Sequence, residues 1–113
     1  MIRHEYMTAI NKDIVIVASS DMSHKEVFDT NQLNEFKKFD QDVIDAFIEL
    51  NPKKTLSAAS KTTVCGAQTI TTLMLICEKL NATKGELLKY YTSSDIKGGY
   101  GYCVGYFSGI IVK

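Results

Sequence analysis

Residues 14–24 read IVIVASSDMSH. Ile14, Val15, Ile16 and Val17 are β-branched and run into Ala18 without a polar break, the pattern of a strand buried on both faces and typical of a parallel sheet. Such a strand needs covering layers above and below. Beyond its carboxyl end come Ser19, Ser20, Asp21, Ser23 and His24, and in open α/β sheets that edge is where ligands bind. A carboxylate and an imidazole in one short loop offer metal binding or proton exchange, provided both turn inward. The same residues also suit a turn in which Asp21 and the serines hydrogen-bond their own backbone.

Working outward, the apolar residues Leu33, Phe36, Val43, Ile44, Phe47 and Ile48 recur at helical spacing, leaving Lys37, Lys38, Asp42, Asp45 and Glu49 for solvent. One amphipathic helix over 32–50 follows. Asn51 and Pro52 stop it and start another, because Asn caps orphan N–H groups and Pro fits the first helical turn. This second helix runs through Ala59. Ile70, Leu73, Met74, Ile76, Cys77 and Leu80 mark a third, heavily buried, ending near Asn81 and preceded by the turn-like pair Cys65 and Gly66. Residues 86–92 and 102–112 are rich in aromatic and branched side chains and flank the turn-forming SSDIKGGYG, which predicts two late strands. The order β, α, α, α, β, β defines an α/β domain over residues 1–113, with about three strands and three helices.

Charge narrows the partners. The 113 residues carry 13 basic and 13 acidic side chains, so the surplus of Lys and Arg that binds nucleic acid or an anionic membrane is missing. The longest apolar runs, 14–18 and 73–77, fall far short of the roughly 20 residues that span a bilayer. No signal-peptide core precedes them, and a cytoplasmic protein is expected. Three cysteines, Cys65, Cys77 and Cys103, are an odd number without CxxC, indicating neither a disulfide framework nor a four-ligand zinc site.

Among single residues, Cys65 stands out because the TTVCG turn leads into a helix whose positive pole stabilises a thiolate. A thiolate there can ligate a metal or attack a substrate, although a small cysteine beside a glycine also packs well. Cys77 on the apolar stripe and Cys103 in a strand read as core residues. His4 lies among charged neighbours and reads as solvated. Ser19 or Ser20 with His24 and Asp21 lacks the GxSxG elbow of a serine hydrolase. The stretch KGGYGYCVGYF matches only the middle of an RNA-binding strand motif, and its glycines miss the dinucleotide spacing.

Three signatures in one order carry a resemblance: VIVASSDMSH, then TTVCG before an apolar helix, then LLKYYTSSD with CVGYFSGIIV. From Asp13 to Lys113 the chain resembles the C-terminal half of the Memo family, and more narrowly the AmmeMemoRadiSam system protein B group. The resemblance implies a fold similar to the LigB-like class III extradiol dioxygenases. It also implies a pocket for iron or copper, held by two histidines of the N-terminal half and by the cysteine matched here by Cys65 in Val64-Cys65-Gly66. Asp21 and His24 fall on the family's SSDxxH signature, so the resemblance makes them catalytic candidates for proton transfer or orientation and makes Cys65 the metal ligand.

Family members are more than twice as long, and the segments with the two N-terminal histidines have no counterpart here; His4 lies in no matching motif. Cys65, Asp21 and His24 alone fall short of the usual catalytic metal site. The expected protein is therefore a redox or dioxygenase-like metal protein whose pocket is completed by another chain, either a second copy in a homo-oligomer or a separately encoded N-terminal half, with a small-molecule ligand. The alternatives are a non-catalytic interaction module or truncated remnant with a vestigial pocket, and a thiol enzyme with Cys65 as nucleophile and His24 as base.

Overall fold

The computed structural model describes residues 16–112. Their order is β1 (His24–Val27), α1 (Thr30–Ile48), α2 (Pro52–Ala59), α3 (Ala67–Lys79), β2 (Lys84–Thr92), α4 (Ser93–Lys97) and β3 (Gly101–Val112). This is a mixed α/β fold with a three-stranded sheet, as the sequence predicts, and the short α4 lies within the expected turn.

Local chemistry sets the helix ends. Asp29 caps α1 by accepting the Gln32 N–H at 2.8 Å, and Asn51 caps α2 by accepting the Lys54 N–H at 3.0 Å with Pro52 as the first helical residue. Between the two helices Leu50 takes a left-handed φ of 53°, and Asn81 does the same at 69° after α3. Asparagine tolerates that region well, which suits it to stop a helix. Thr92 and Asp95 form a reciprocal capping box for α4. Gly98 and Gly99, at φ 75° and 73°, then turn the chain into β3.

The strand order is β1-β3-β2, with both pairings antiparallel. His24 lies opposite Val104 and Val27 opposite Gly101, while β2 follows β3 from Lys84↔Val112 to Thr92↔Gly105 with an irregularity between Leu87 and Lys89. The main core joins Met22, Val43, Ile44, Phe47, Ile70 and Met74. Val27, Phe36 and Cys103 form a smaller cluster nearer β1.

Three expectations change. The sheet is antiparallel, and its first strand is the charged His24–Val27 rather than the apolar run at 14–18. Ile14 and Val15 lie outside the described residues, and Ile16–Ala18 form no regular element, with Val17 51% exposed. The physical reason is that β1 occupies the sheet edge, where one buried residue suffices: Val27 is buried while Lys25 and Glu26 stay in solvent. The third helix is also less buried than expected, since of its apolar stripe only Ile70 and Met74 are buried, Leu73, Ile76 and Cys77 are half-buried and Leu80 is 52% exposed.

Candidate functional site

Two loops carry the three residues singled out in the sequence. One is the 19–24 stretch that enters β1, and the other is the 62–66 turn that enters α3. They are fastened at two points. The backbone N–H of His24 donates to Thr63 Oγ1 at 2.7 Å. Four residues earlier, Ser20 packs so closely on Gly66 that a Cβ at that glycine would overlap the serine side chain. Cys65 lies in sequence between Thr63 and Gly66, and Asp21 lies between Ser20 and His24. The fold therefore draws the two signatures into contact although the tied pairs lie 39 and 46 positions apart in the sequence.

His24 is half-buried at the start of β1, and its Nδ1 lies 3.1 Å from the Met22 carbonyl. A carbonyl only accepts, so the proton of that bond belongs to Nδ1 and the neutral ring keeps Nε2 as its free lone pair. That nitrogen can take a proton or bind an electrophile. Asp21 is exposed, and its backbone carbonyl accepts from Ser20 Oγ at 2.7 Å. Cys65 is exposed, one residue before the N-cap Gly66 of α3. It borders a cavity of about 430 Å³ with Leu56, Thr62, Val64 and Gln68, and neither Asp21 nor His24 lines that cavity.

The donor set does not by itself fit a metal. Among the described residues, no group of three or more His, Cys, Asp or Glu side chains could hold an ion, and a catalytic metal ordinarily has three protein ligands. Of the other two cysteines, both read from the sequence as core residues, only Cys103 is in the core. Cys103 is buried in β3 with Ser94 Oγ at 3.5 Å from its sulfur, and Cys77 is half-buried on α3, where burial pushes its thiol pKa up.

A buried acid escaped notice in the sequence. Asp40 is fully buried on α1, with one carboxylate oxygen accepting the Ser23 N–H at 2.9 Å and the other accepting Tyr90 Oη at 2.6 Å. It anchors the backbone between Asp21 and His24. The signal was available: Asp40 falls on the stripe of Phe36, Val43, Ile44 and Phe47, the face of α1 that excludes water.

The chain matches the Memo-like protein family over residues 2–110. It belongs to that family. Among its relatives are a MEMO1 family protein of Nitrosopumilus maritimus, 36% identical over 101 residues covering 87% of this chain and 34% of the relative. Another, from Methanocaldococcus jannaschii, is 34% identical over 104 residues covering 90% of this chain and 34% of the relative. A third, from Methanosarcina mazei, is 33% identical over 104 residues, covering 90% and 37% respectively. The chain thus spans about a third of the length of the curated relatives it matches. Among the described residues, no helix is long and apolar enough to cross a membrane.

Proposed function

We propose that this chain contributes part of a Memo-like iron or copper pocket, with Cys65 as metal ligand and with Asp21 and His24 as orienting and proton-transfer groups, and that another polypeptide supplies the remaining ligands. The observation that carries this reading is the fastening of the two loops by Thr63 with His24 and Gly66 with Ser20. It keeps the sulfur-bearing turn beside the imidazole-bearing strand. The described residues bring together fewer than three such donors, so the remaining ligands are assigned outside them. His24 with Nδ1 engaged would use Nε2 for proton exchange. Whether the reaction is redox or dioxygenase-like, with which small-molecule substrate, belongs to the completed pocket.

Metal uptake tests this. The purified chain, alone and mixed with the remaining two thirds of a MEMO1 family protein, is dialysed against iron(II) or copper and its bound metal is measured. The expected result is one metal per complex, weak uptake by the chain alone, and uptake lowered by roughly tenfold or more in Cys65→Ala, in line with the loss of one ligand. No uptake in either state, or unchanged uptake in Cys65→Ala, would leave an interaction module as the better description.

A further inference from the structure

The peptide that joins Met22 to Ser23 is gripped on both of its edges. Its N–H, on Ser23, donates to Asp40 Oδ1 at 2.9 Å, and its carbonyl, on Met22, accepts from His24 Nδ1 at 3.1 Å. The bond is trans, so donor and acceptor lie on opposite edges of one rigid plane. Whatever directs the N–H therefore directs the carbonyl as well. Met22, Ser23 and Asp40 are all buried, so bulk water does not stand in for the carboxylate. Turning the plane over would set the Met22 oxygen against the oxygens of Asp40, acceptor against acceptor, and leave the Ser23 N–H unpaired.

The flanks of this peptide are held separately, by β3. The Met22 N–H donates to the Gly105 carbonyl at 3.2 Å, and the Gly105 N–H donates to the Ser23 carbonyl at 2.8 Å. These bonds fix where residues 22 and 23 lie on the sheet; the tilt of the plane between them is left to Asp40. The carboxylate is itself aimed, because Tyr90 Oη donates to Oδ2 at 2.6 Å and leaves Oδ1 for Ser23. Thr63 grips the following peptide, through the His24 N–H at 2.7 Å, and does not touch the one that meets the ring.

We propose that Asp40, aimed by Tyr90, is a positioning residue for His24: acting through the Met22–Ser23 peptide, it holds the imidazole with its proton on Nδ1 and its lone pair on Nε2. The purpose of this device rests on the proton exchange assigned to His24 under the completed-pocket reading, but its geometry involves no metal. The carboxylate has two effects. It directs the carbonyl, and its charge polarises the N–H that it receives, which makes the carbonyl across the same amide a stronger acceptor for Nδ1–H. Functional histidines commonly have their tautomer fixed by a carboxylate or a backbone carbonyl on the second nitrogen. Here the two are used in series, with one peptide between them.

The full chain carrying His4→Gln, which leaves His24 as its one imidazole, is labelled with heavy nitrogen. Its ring nitrogens are read by long-range proton–nitrogen correlation at a pH above the ordinary histidine range of about 6.5. Nε2 is expected to be the unprotonated nitrogen. Asp40→Asn keeps that pattern, since the amide oxygen can accept from Ser23 while the amide N–H donates to Tyr90 Oη. Asp40→Leu with Tyr90→Phe replaces both buried partners by apolar groups of similar shape, a change that folded proteins tolerate. In this double variant the two nitrogen shifts converge towards those of an unconstrained histidine peptide. Asp40→Ser, whose hydroxyl ends one bond nearer the backbone than Oδ1, moves them the same way, and Thr63→Val leaves them in place. Cooperative unfolding establishes that each variant is folded.

A parent ring protonated on Nε2, or shifts that stay fixed in the double variant and in Asp40→Ser, would overturn the proposal. So would convergence in Asp40→Asn or Thr63→Val as full as in the double variant, because any loosening of the loop would then suffice. The tautomer is read without metal, which separates the two readings. This pattern without metal uptake defeats the completed pocket alone, and metal uptake without this pattern defeats the positioning role alone.

Discussion

Tyr90 donates a 2.6 Å hydrogen bond to the carboxylate of Asp40, which is fully buried on α1. The other oxygen of that carboxylate accepts the backbone N–H of Ser23 at 2.9 Å. One side chain thereby ties β2 and the entry to β1 to the same helix. Its oxygens are short of water, and hydrogen bonds that reach an ionised acceptor are the strong kind. The Asp40 bonds fix where the backbone between Asp21 and His24 runs, which connects the stability of the core to the geometry of the candidate site.

Replacing Tyr90 with Phe removes the donor and leaves one buried carboxylate oxygen unmet. A hydrogen bond to a charged group contributes about 1.5–3 kcal/mol, and that loss is expected in urea unfolding at neutral pH. The wild-type phenol has its pKa raised, first by burial and then by its bond to Asp40. A raised pKa means that the folded state holds its proton more tightly than the unfolded chain does. The associated stability is complete below the unfolded tyrosine value of about 10 and is lost as pH climbs above it. Tyr90→Phe should flatten this alkaline decline; an equally steep decline in the variant would show that another group causes it.

Gly105 lies where β3 passes beneath this carboxylate. A Cβ there would overlap Asp40 Oδ2 and come within 3.2 Å of both Met22 Cβ and Tyr90 Oη. Neither acid nor tyrosine can swing away without breaking their bond. Gly105→Ala is expected to destabilise the domain by about 1–3 kcal/mol, the usual cost of overpacking. Gly98→Ala is a control of another kind: it has open space around it but a φ of 75°, so its cost is backbone strain alone. Thermal unfolding distinguishes crowding from strain: combined with Asp40→Ala, which removes the carboxylate that the new methyl meets, Gly105→Ala should cost less than it does alone, whereas the cost of Gly98→Ala should not change.

The carboxyl of Asp95 is held below its ordinary range, chiefly by Lys37, whose ammonium lies 2.9 Å away, and next by the Thr92 backbone N–H. Because the folded pKa is depressed, this contribution is present above the unfolded value of about 3.9 and is lost as pH falls through the folded one. Lys37→Met should move the Asp95 midpoint upward in a carboxyl NMR titration while the Thr92 contribution persists. Both side chains are more than a third exposed, so water screens the pair and the change in stability should stay within about 1 kcal/mol. A midpoint that does not move would assign the shift to the capping box alone.

The three main helices and two late strands are legible because each is marked by short-range chemistry: Asn51 and Pro52 between α1 and α2, Gly98 and Gly99 before β3, and a buried stripe on α1. The first strand is not, since His24–Val27 has one core residue and gains its strand conformation from pairing with residues nearly 80 positions away. Propensity says little about such an edge. The nearness of the 19–24 and 62–66 loops is equally invisible to periodicity; only the ordered signatures of the family suggested it. Asp40 was hidden by its type, because an acid on a helix is ordinarily read as solvated, and only its place on the stripe contradicts that.

The fastening of the two loops makes a prediction that does not depend on any metal. Thr63→Val keeps the shape of the side chain but removes the acceptor of the His24 N–H, so that amide should exchange with deuterium faster while global stability changes by no more than about 1 kcal/mol. Gly66→Ala should act from the other fastening point: the new methyl meets Ser20 and pushes the loops apart, and the same His24 amide should lose protection although Thr63 is intact. Removing the obstructing side chain tests the cause directly. In the double variant Ser20→Gly with Gly66→Ala, protection of the His24 amide should return towards that of Ser20→Gly alone, a non-additive coupling expected only of residues in contact. Additive losses in the double variant would mean that Gly66→Ala disturbs the start of α3 instead, and that the turn bearing Cys65 is held by its own helix and not by the strand bearing His24.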